Sequence, residues 1–139
     1  MFKITVAWND SVKLVVSKES TTFLDAYLRC HQYGYDAFEI LSEEDERQVE
    51  YALNSHSTIT SGWQNGYWIF ALNLGKSSNY YWLESGKPLI YSIFSPGQPD
   101  NADPHNCLLI SKTTNGSFEW HDVRCDQKLR FICKYLKNK

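Results

Sequence analysis

The sequence has no C-x-x-C pair, no long apolar run and no strong excess of either charge. Its widely separated cysteines argue against a zinc ribbon and a thioredoxin-like redox site. No apolar segment is long enough to span a bilayer, and a formal net charge of −2 argues against nucleic acid or an anionic membrane as a partner. The opening residues MFKITVAWND lack the basic end and apolar stretch of a signal peptide, so a secreted protein would be represented here by its mature form.

Sequence motifs of common enzyme classes are missing as well. There is no Gly-x-Ser-x-Gly elbow, no glycine-rich phosphate loop and no His-Glu-x-x-His zinc motif. No residue stands out as a general base. We therefore expect a protein without catalytic activity.

What the sequence does contain is enough apolar and aromatic surface for one packed domain over residues 1–139. Aromatic residues make up 15% of the chain, and five of them are tryptophans. Four well-separated cysteines indicate two disulfides and an oxidising compartment, although their spacing leaves the pairing open. The alternative is a cytosolic protein with four buried thiols.

Two segments in the N-terminal half read as helices. Thr21–Gly34 has apolar residues at helical spacing, a capping box of Thr22 and Asp25, and a terminal glycine as its stop. Ser42–Leu53 begins with a capping serine followed by acids, which favour the positive end of the helix dipole.

Strand and turn signals dominate the rest of the chain. Lys3–Val16 predicts a hairpin around Asn-Asp-Ser, and Cys107–Cys125 predicts a second one around Thr-Asn-Gly-Ser. Gly66–Asn73 and Lys128–Leu136 read as further strands. Gly75–His105 has little regular pattern, but its aromatic residues argue against disorder, so we expect a functional loop.

Five short motifs occur in order along the chain: YWIFALN, GQPDN, NCLLI, EWHDVRC and RFICKY. Together they resemble the C-type lectin domain over a core at about residues 23–136, preceded by an N-terminal hairpin at residues 2–17. The resemblance implies an α+β fold in which two helices flank antiparallel sheets and a long loop region.

The same resemblance implies one disulfide pairing. Cys30 would pair with Cys133, and Cys107 with Cys125. By loop-closure entropy these bridges would add about 4–5 and about 3 kcal/mol of stability. No free cysteine would remain to link a partner chain covalently.

Calcium-dependent members of this family hold an ion that binds sugar hydroxyls directly. Their ligands come from a Gln-Pro-Asp or Glu-Pro-Asn loop with a cis proline, an acid before the next cysteine, and a Trp-Asn-Asp motif. Gln98, Asp100 and Asp122 match these positions, in the Gln-Pro-Asp form that resembles the galactose-type subgroup. However, His105 stands in place of the acid and His121 in place of the asparagine, which predicts weakened calcium binding.

The two histidines support a second metal hypothesis. His105 and His121, near Asp100 and Asp122, would suit zinc better than calcium. Without an ion, the imidazoles would donate hydrogen bonds to the carboxylates instead. At the family's auxiliary calcium site, amides and a hydroxyl stand where acids are common: Asn73, Ser77, Asn101 and Asn106.

Several other residues carry narrower predictions. Asn9 and Asn115 begin glycosylation sequons in predicted turns. Trp120 is expected to be structural, and His31 and His56 to be surface residues without partners. Alternating apolar residues of one strand are expected in the core: Trp68, Phe70, Leu72 and Leu74.

The sequence therefore predicts a secreted lectin that recognises glycans in extracellular or innate immune recognition. The predicted sugar contacts are Gln98, Asp100, His121 and Asp122. The competing hypothesis is a domain of the same fold that binds an extracellular protein through its long loop surface without calcium.

Overall fold

The computed structural model describes residues 2–4, 12–55, 59–73, 79–100 and 106–136. Within these ranges the chain forms two α-helices and eight strands. The helices are α1 (Phe23–Gln32) and α2 (Glu43–Asn54). The strands are β1 (Phe2–Ile4), β2 (Val12–Ser17), β3 (Asp36–Ala37), β4 (Tyr67–Leu72), β5 (Tyr81–Trp82), β6 (Asn106–Lys112), β7 (Phe118–Arg124) and β8 (Arg130–Leu136).

The strands join one sheet in the order β1-β2-β8-β4-β6-β7, with β3 added beside β8 and β5 beside β4. Only the β4–β8 pairing is parallel among these strands, and the others are antiparallel. The predicted α+β class, with two helices and a largely antiparallel sheet, is confirmed. So is the hairpin of β6 and β7, which turns through Gly116 with a φ of 94°.

Strand β4 runs through the middle of the core and is buried on both of its faces. Trp68 and Phe70 pack with Phe23 of α1 on one side, where the rings of Phe23 and Trp68 meet edge to face at 5.4 Å. Tyr67 and Ile69 pack on the other side. The core therefore extends on both sides of this strand.

The predicted strand core is borne out in part. Trp68 and Phe70 are fully buried, whereas Leu72 is half-buried at the end of β4. Leu74 lies outside the described residues.

The predicted capping box of α1 is wrong. Thr22 is the N-cap, but its side chain makes no capping hydrogen bond. Instead, the hydroxyl of Thr21 donates to Asp25 Oδ2 at 2.6 Å. A backbone group takes over the capping role, because the N–H of Phe23 donates to the carbonyl of Cys125 at 3.1 Å.

The other predicted helix signals are confirmed. Helix α1 stops at Gly34, which has a φ of 84° and donates its N–H to the carbonyl of His31 at 3.0 Å. Helix α2 begins after Ser42, whose hydroxyl accepts from the N–H of Asp45 at 3.2 Å.

Both implied disulfides are present. Cys30–Cys133 ties α1 to β8, and Cys107–Cys125 ties β6 to the segment after β7. No free cysteine remains. In the described ranges, neither helix has the length and apolar character needed to cross a membrane.

Helix α2 places a carboxyl group in the core. Glu46 is buried, and its Oε1 accepts a hydrogen bond from Trp120 Nε1 at 3.1 Å. Burial, with a smaller contribution from Glu50, raises the pKa of Glu46 to about 9. The group is therefore protonated at neutral pH in the folded protein.

This burial makes stability depend on pH. Between the ordinary carboxyl pKa of 4.5 and about 9, the folded state holds a proton that the unfolded state has lost. The free energy of unfolding therefore falls as pH rises through this window, by about 4 kcal/mol between pH 5 and pH 8. Glu46→Gln keeps the acceptor for Trp120 but cannot ionise, so we expect urea denaturation to show a much flatter pH dependence.

The matched control is Glu44→Gln on the same helix, where the side chain is exposed. This variant should keep the wild-type pH slope. Equal slopes for wild type and Glu46→Gln would contradict the assignment.

Candidate functional site

Trp120 anchors the long loop to strand β7. Its ring is fully buried and meets Trp82 and Phe94 in edge contacts, with centroids 5.9 and 5.8 Å away. The backbone N–H of Trp120 donates to the carbonyl of Ile93 at 2.9 Å, and its backbone carbonyl accepts from the N–H of Ser95 at 3.0 Å. The structural role predicted for Trp120 is thus confirmed, and the loop runs beside β7.

A tight turn carries the loop from this anchor to the Gln-Pro-Asp motif. The N–H of Gln98 donates to the carbonyl of Ser95 at 2.9 Å. Gly97, with a φ of 82°, supplies the left-handed conformation that the turn requires. The bond between Gln98 and Pro99 is cis, as the resemblance implied.

Gln98, Asp100 and Asp122 come together at the end of this turn. The N–H of Asp122 donates to Gln98 Oε1 at 3.0 Å, and the N–H of Asp100 donates to Asp122 Oδ1 at 3.2 Å. Gln98 Nε2 approaches Asp100 Oδ2 at 3.5 Å. Asp100 is exposed and Gln98 half-buried, whereas Asp122 is 6% exposed. The exposed carboxylate of Asp100 is therefore the part of this group most accessible to a ligand.

Two residues that the sequence analysis did not assign here complete the surroundings of Asp122. Its Oδ2 accepts from the hydroxyl of Tyr80 at 2.9 Å and from Asn106 Nδ2 at 3.4 Å. Burial, followed by the hydrogen bond and charge of Asp122, raises the pKa of Tyr80 above its usual value. The Tyr80 hydroxyl thus stays protonated and remains a donor.

Asn106 could have been found from the sequence, because it directly precedes Cys107 on a strand that pairs with β7. The sequence pattern suggests Asn106 only for the auxiliary calcium site. In the structure, the N–H of Asn106 donates to Asn73 Oδ1 at 3.3 Å, and the N–H of Asn73 donates to the carbonyl of Asn106 at 3.0 Å. Ser77 and Asn101 lie outside the described residues. Tyr80 has no comparable signal, since it is one of many aromatic residues in the loop.

His121 does not join the carboxylates of the loop. Along β7, buried and half-buried residues alternate, which places Trp120 and Asp122 on one face and His121 on the other. On that face its Nε2 lies 3.8 Å from Oε2 of Glu119. Burial lowers the pKa of His121, although Glu119 and Asp122 oppose the shift, so the ring is neutral at neutral pH.

The donor set fits calcium better than zinc. Gln98, Asp100 and Asp122 offer amide and carboxylate oxygens of the kind calcium uses. In the described part of the chain, His121 does not form a three-residue ligand group with the two aspartates. The other histidine of the zinc hypothesis, His105, lies outside the described residues.

Two further predicted residues can be placed. Asn115 is exposed in the β6–β7 turn, where its Oδ1 accepts from the Ser117 hydroxyl at 3.0 Å. The prediction that His31 has no partner is wrong, because its Nε2 lies 2.9 Å from Glu84 Oε1. That partner is distant in sequence and gives no local signal. Asn9 and His56 lie outside the described residues.

Comparison with known proteins shows what this arrangement is similar to. A sequence model of the lectin C-type domain matches residues 19–135. Salivary C-type lectin 2 of Aedes albopictus is 28% identical over 128 residues, which cover 90% of this chain and 84% of that protein. Perlucin of Haliotis laevigata is 29% identical over 114 residues, covering 82% and 70%. The solved structure of human lithostathine superposes with a TM-score of 0.79 at 23% identity, covering 96% and 97%.

The hydrogen bond from Tyr80 to Asp122 can be tested by removing the hydroxyl alone. Because the bond is buried and its acceptor is a carboxylate, Tyr80→Phe should lower the free energy of unfolding by about 1.5–3 kcal/mol. Urea denaturation measures this change. The control is Tyr81→Phe, whose side chain is 44% exposed and should cost far less. Equal losses in the two variants would remove Tyr80 from the support of the site.

Proposed function

This chain belongs to the lectin C-type domain family, and from this premise we propose that it is a secreted lectin that binds glycans through Gln98, Asp100 and Asp122. The observation that carries the proposal is the hydrogen-bonded convergence of these three residues from the loop and β7. They occupy the positions at which the motifs resemble a sugar-binding loop. We further propose a role in extracellular or innate immune recognition.

The three residues have different roles because they differ in burial. Asp100 is exposed and Gln98 half-buried, so their side chains can exchange hydrogen bonds with sugar hydroxyls. Asp122 is buried and holds both of them, through its N–H and through Oδ1. We therefore assign Asp100 and Gln98 as the direct contacts and Asp122 as the residue that orients them. His121, on the other face of β7, flanks this group.

Calcium binding is expected to be weak. When bound, the ion would coordinate two sugar hydroxyls directly. Gln98, Asp100 and Asp122 would hold it. However, Asp122 already accepts hydrogen bonds from Tyr80, from Asn106 and from the N–H of Asp100, and an ion would have to compete with these donors. The Gln-Pro-Asp form favours a galactose-type hydroxyl pair, although no tryptophan follows the motif to stack on the sugar.

A calcium-independent domain that binds an extracellular protein is the second candidate. The same hydrogen bonds of Asp122 favour it, because they fix the loop through protein donors. The broad loop surface over residues 79–100 would then be the contact.

Glycan binding by the chelator-treated protein, with and without added calcium, separates the two candidates. Asp100→Asn removes the exposed charge, and we expect it to weaken glycan binding roughly tenfold or more, since hydrogen bonds to charged groups are worth over 1 kcal/mol. A glycan array followed by titration of the strongest ligand measures this. The control is Asp126→Asn, an exposed aspartate paired with Arg124 at 2.9 Å, which should bind as wild type does.

Two outcomes would overturn the lectin proposal. One is the absence of glycan binding both with and without added calcium. The other is binding that persists in Asp100→Asn but is lost when aromatic residues of the loop are replaced. Either result would favour the calcium-independent, protein-binding candidate.

An extracellular location predicts glycosylation at Asn9 and Asn115. Two disulfides suit an oxidising compartment, and Asn115 is exposed in a turn. When the protein is expressed through a eukaryotic secretory pathway, N-glycosidase should lower its mass. Asn115→Gln should remove one part of this shift and Asn9→Gln the other. An unchanged mass after N-glycosidase treatment would argue against modification at both positions.

A further inference from the structure

Three chain segments bring a histidine and two carboxylates together away from the long loop. His31 comes from the last turn of α1, Asp36 from β3, and Glu84 from the turn after β5. One ligand atom from each lies within 4.8 Å of the others. Among the described residues, this is the one group of three or more His, Cys, Asp or Glu side chains that is so close.

The individual distances place both nitrogens of the ring near an acid. His31 Nε2 lies 2.9 Å from Glu84 Oε1, and Nδ1 lies 4.0 Å from Asp36 Oδ1. In a tetrahedral zinc site with bonds of about 2.0–2.1 Å, neighbouring ligand atoms are about 3.3 Å apart. The histidine–glutamate separation is already close to this value. Because only one ring nitrogen binds the ion and the three ligand atoms lie within 4.8 Å of one another, Asp36 would have to move closer by about 1.5 Å at most.

Glu84 is held in place by groups other than the histidine. Its Oε1 also accepts from the N–H of Ala37 at 3.1 Å, and its Oε2 accepts from the hydroxyl of Tyr27 at 3.3 Å. The ring of Tyr27 packs edge-on against His31 with centroids 4.8 Å apart. Such outer hydrogen bonds and packing orient the ligands in protein metal sites.

Charge and accessibility both favour a cation here. Asp36 and Glu84 place two carboxylate groups beside one imidazole, which makes the local potential negative. The side chains of His31, Asp36 and Glu84 are 36%, 22% and 30% exposed, so an ion can reach them from solvent.

We propose that His31, Asp36 and Glu84 form a site for a divalent transition-metal ion of the zinc type, with water completing the shell. Mixed imidazole and carboxylate ligands suit zinc, whereas calcium prefers oxygen alone. The ion would clip α1, β3 and the turn after β5 to one another, close to the Cys30–Cys133 bridge. The site shares no residue with the glycan-binding proposal and does not depend on it.

The test uses chelator-stripped protein and zinc chloride, with isothermal titration calorimetry and thermal unfolding as readouts. We expect one zinc per chain at this site, and a rise in melting temperature of roughly 5–10 °C at a hundredfold excess over the Kd. Calcium at the same concentration should leave these three residues unoccupied. His31→Gln and Glu84→Gln should each weaken zinc binding at least roughly tenfold, since each removes one ligand.

The matched control is His121→Gln, which replaces another half-exposed histidine and should bind zinc as wild type does. The proposal is overturned if wild type shows neither binding heat nor a thermal shift, or if zinc binding is unchanged in both His31→Gln and Glu84→Gln. Loss of binding in His121→Gln alone would move the site to the long loop. Circular dichroism shows whether each variant is folded. If one of His31→Gln and Glu84→Gln does not fold, the zinc affinity of the other decides the test.

Discussion

Strand β7 presents Trp120 and Asp122 to the same side of the sheet, and the long loop depends on this pair. Residues two apart on a strand share a face. The backbone of Trp120 holds the loop at Ile93 and Ser95, while Asp122 holds its Gln-Pro-Asp end. A shift of one residue in the β6–β7 register would turn this face outward and bring its half-exposed neighbours inward. The position of the loop is therefore set by the pairing of two strands.

Two carboxyl groups are buried close to this face, and the protein accommodates them differently. Asp122 lies among three donors, namely the Tyr80 hydroxyl, the Asn106 amide and the N–H of Asp100. Glu46 receives a hydrogen bond from Trp120 but lies beside Glu50, and it takes up a proton instead. Burial of a carboxyl group requires either sufficient donors or neutralisation. The first arrangement uses a buried charge to hold the loop in place, and the second removes a charge beneath it.

The helices and the second hairpin were predictable because their signals are local, whereas the fold and the disulfide pairing followed from the resemblance to the family. Gly34 stops α1, Ser42 caps α2, and an Asn-Gly dipeptide turns β6 into β7, each through backbone preferences of nearby residues. What could not be predicted depends on contacts between distant segments. The hydrogen bond from Tyr80 to Asp122 joins residues 42 positions apart, and the pairing of His31 with Glu84 joins residues 53 positions apart. Neither leaves a periodic pattern in the sequence, and both decide where a ligand could bind.

The antiparallel pairing of β2 with β8 also governs how the domain would respond to a pulling force. Val12 lies opposite Leu136, so once β1 has been stripped away, tension across the two strands would open their hydrogen bonds one pair at a time. Such unzipping offers little resistance. It would reach Cys133, opposite Val15, after only a few residues. There the bridge to Cys30 would pass the load to α1 and to the rest of β2, while residues 31–132, which the bridge encloses, would be shielded from the force.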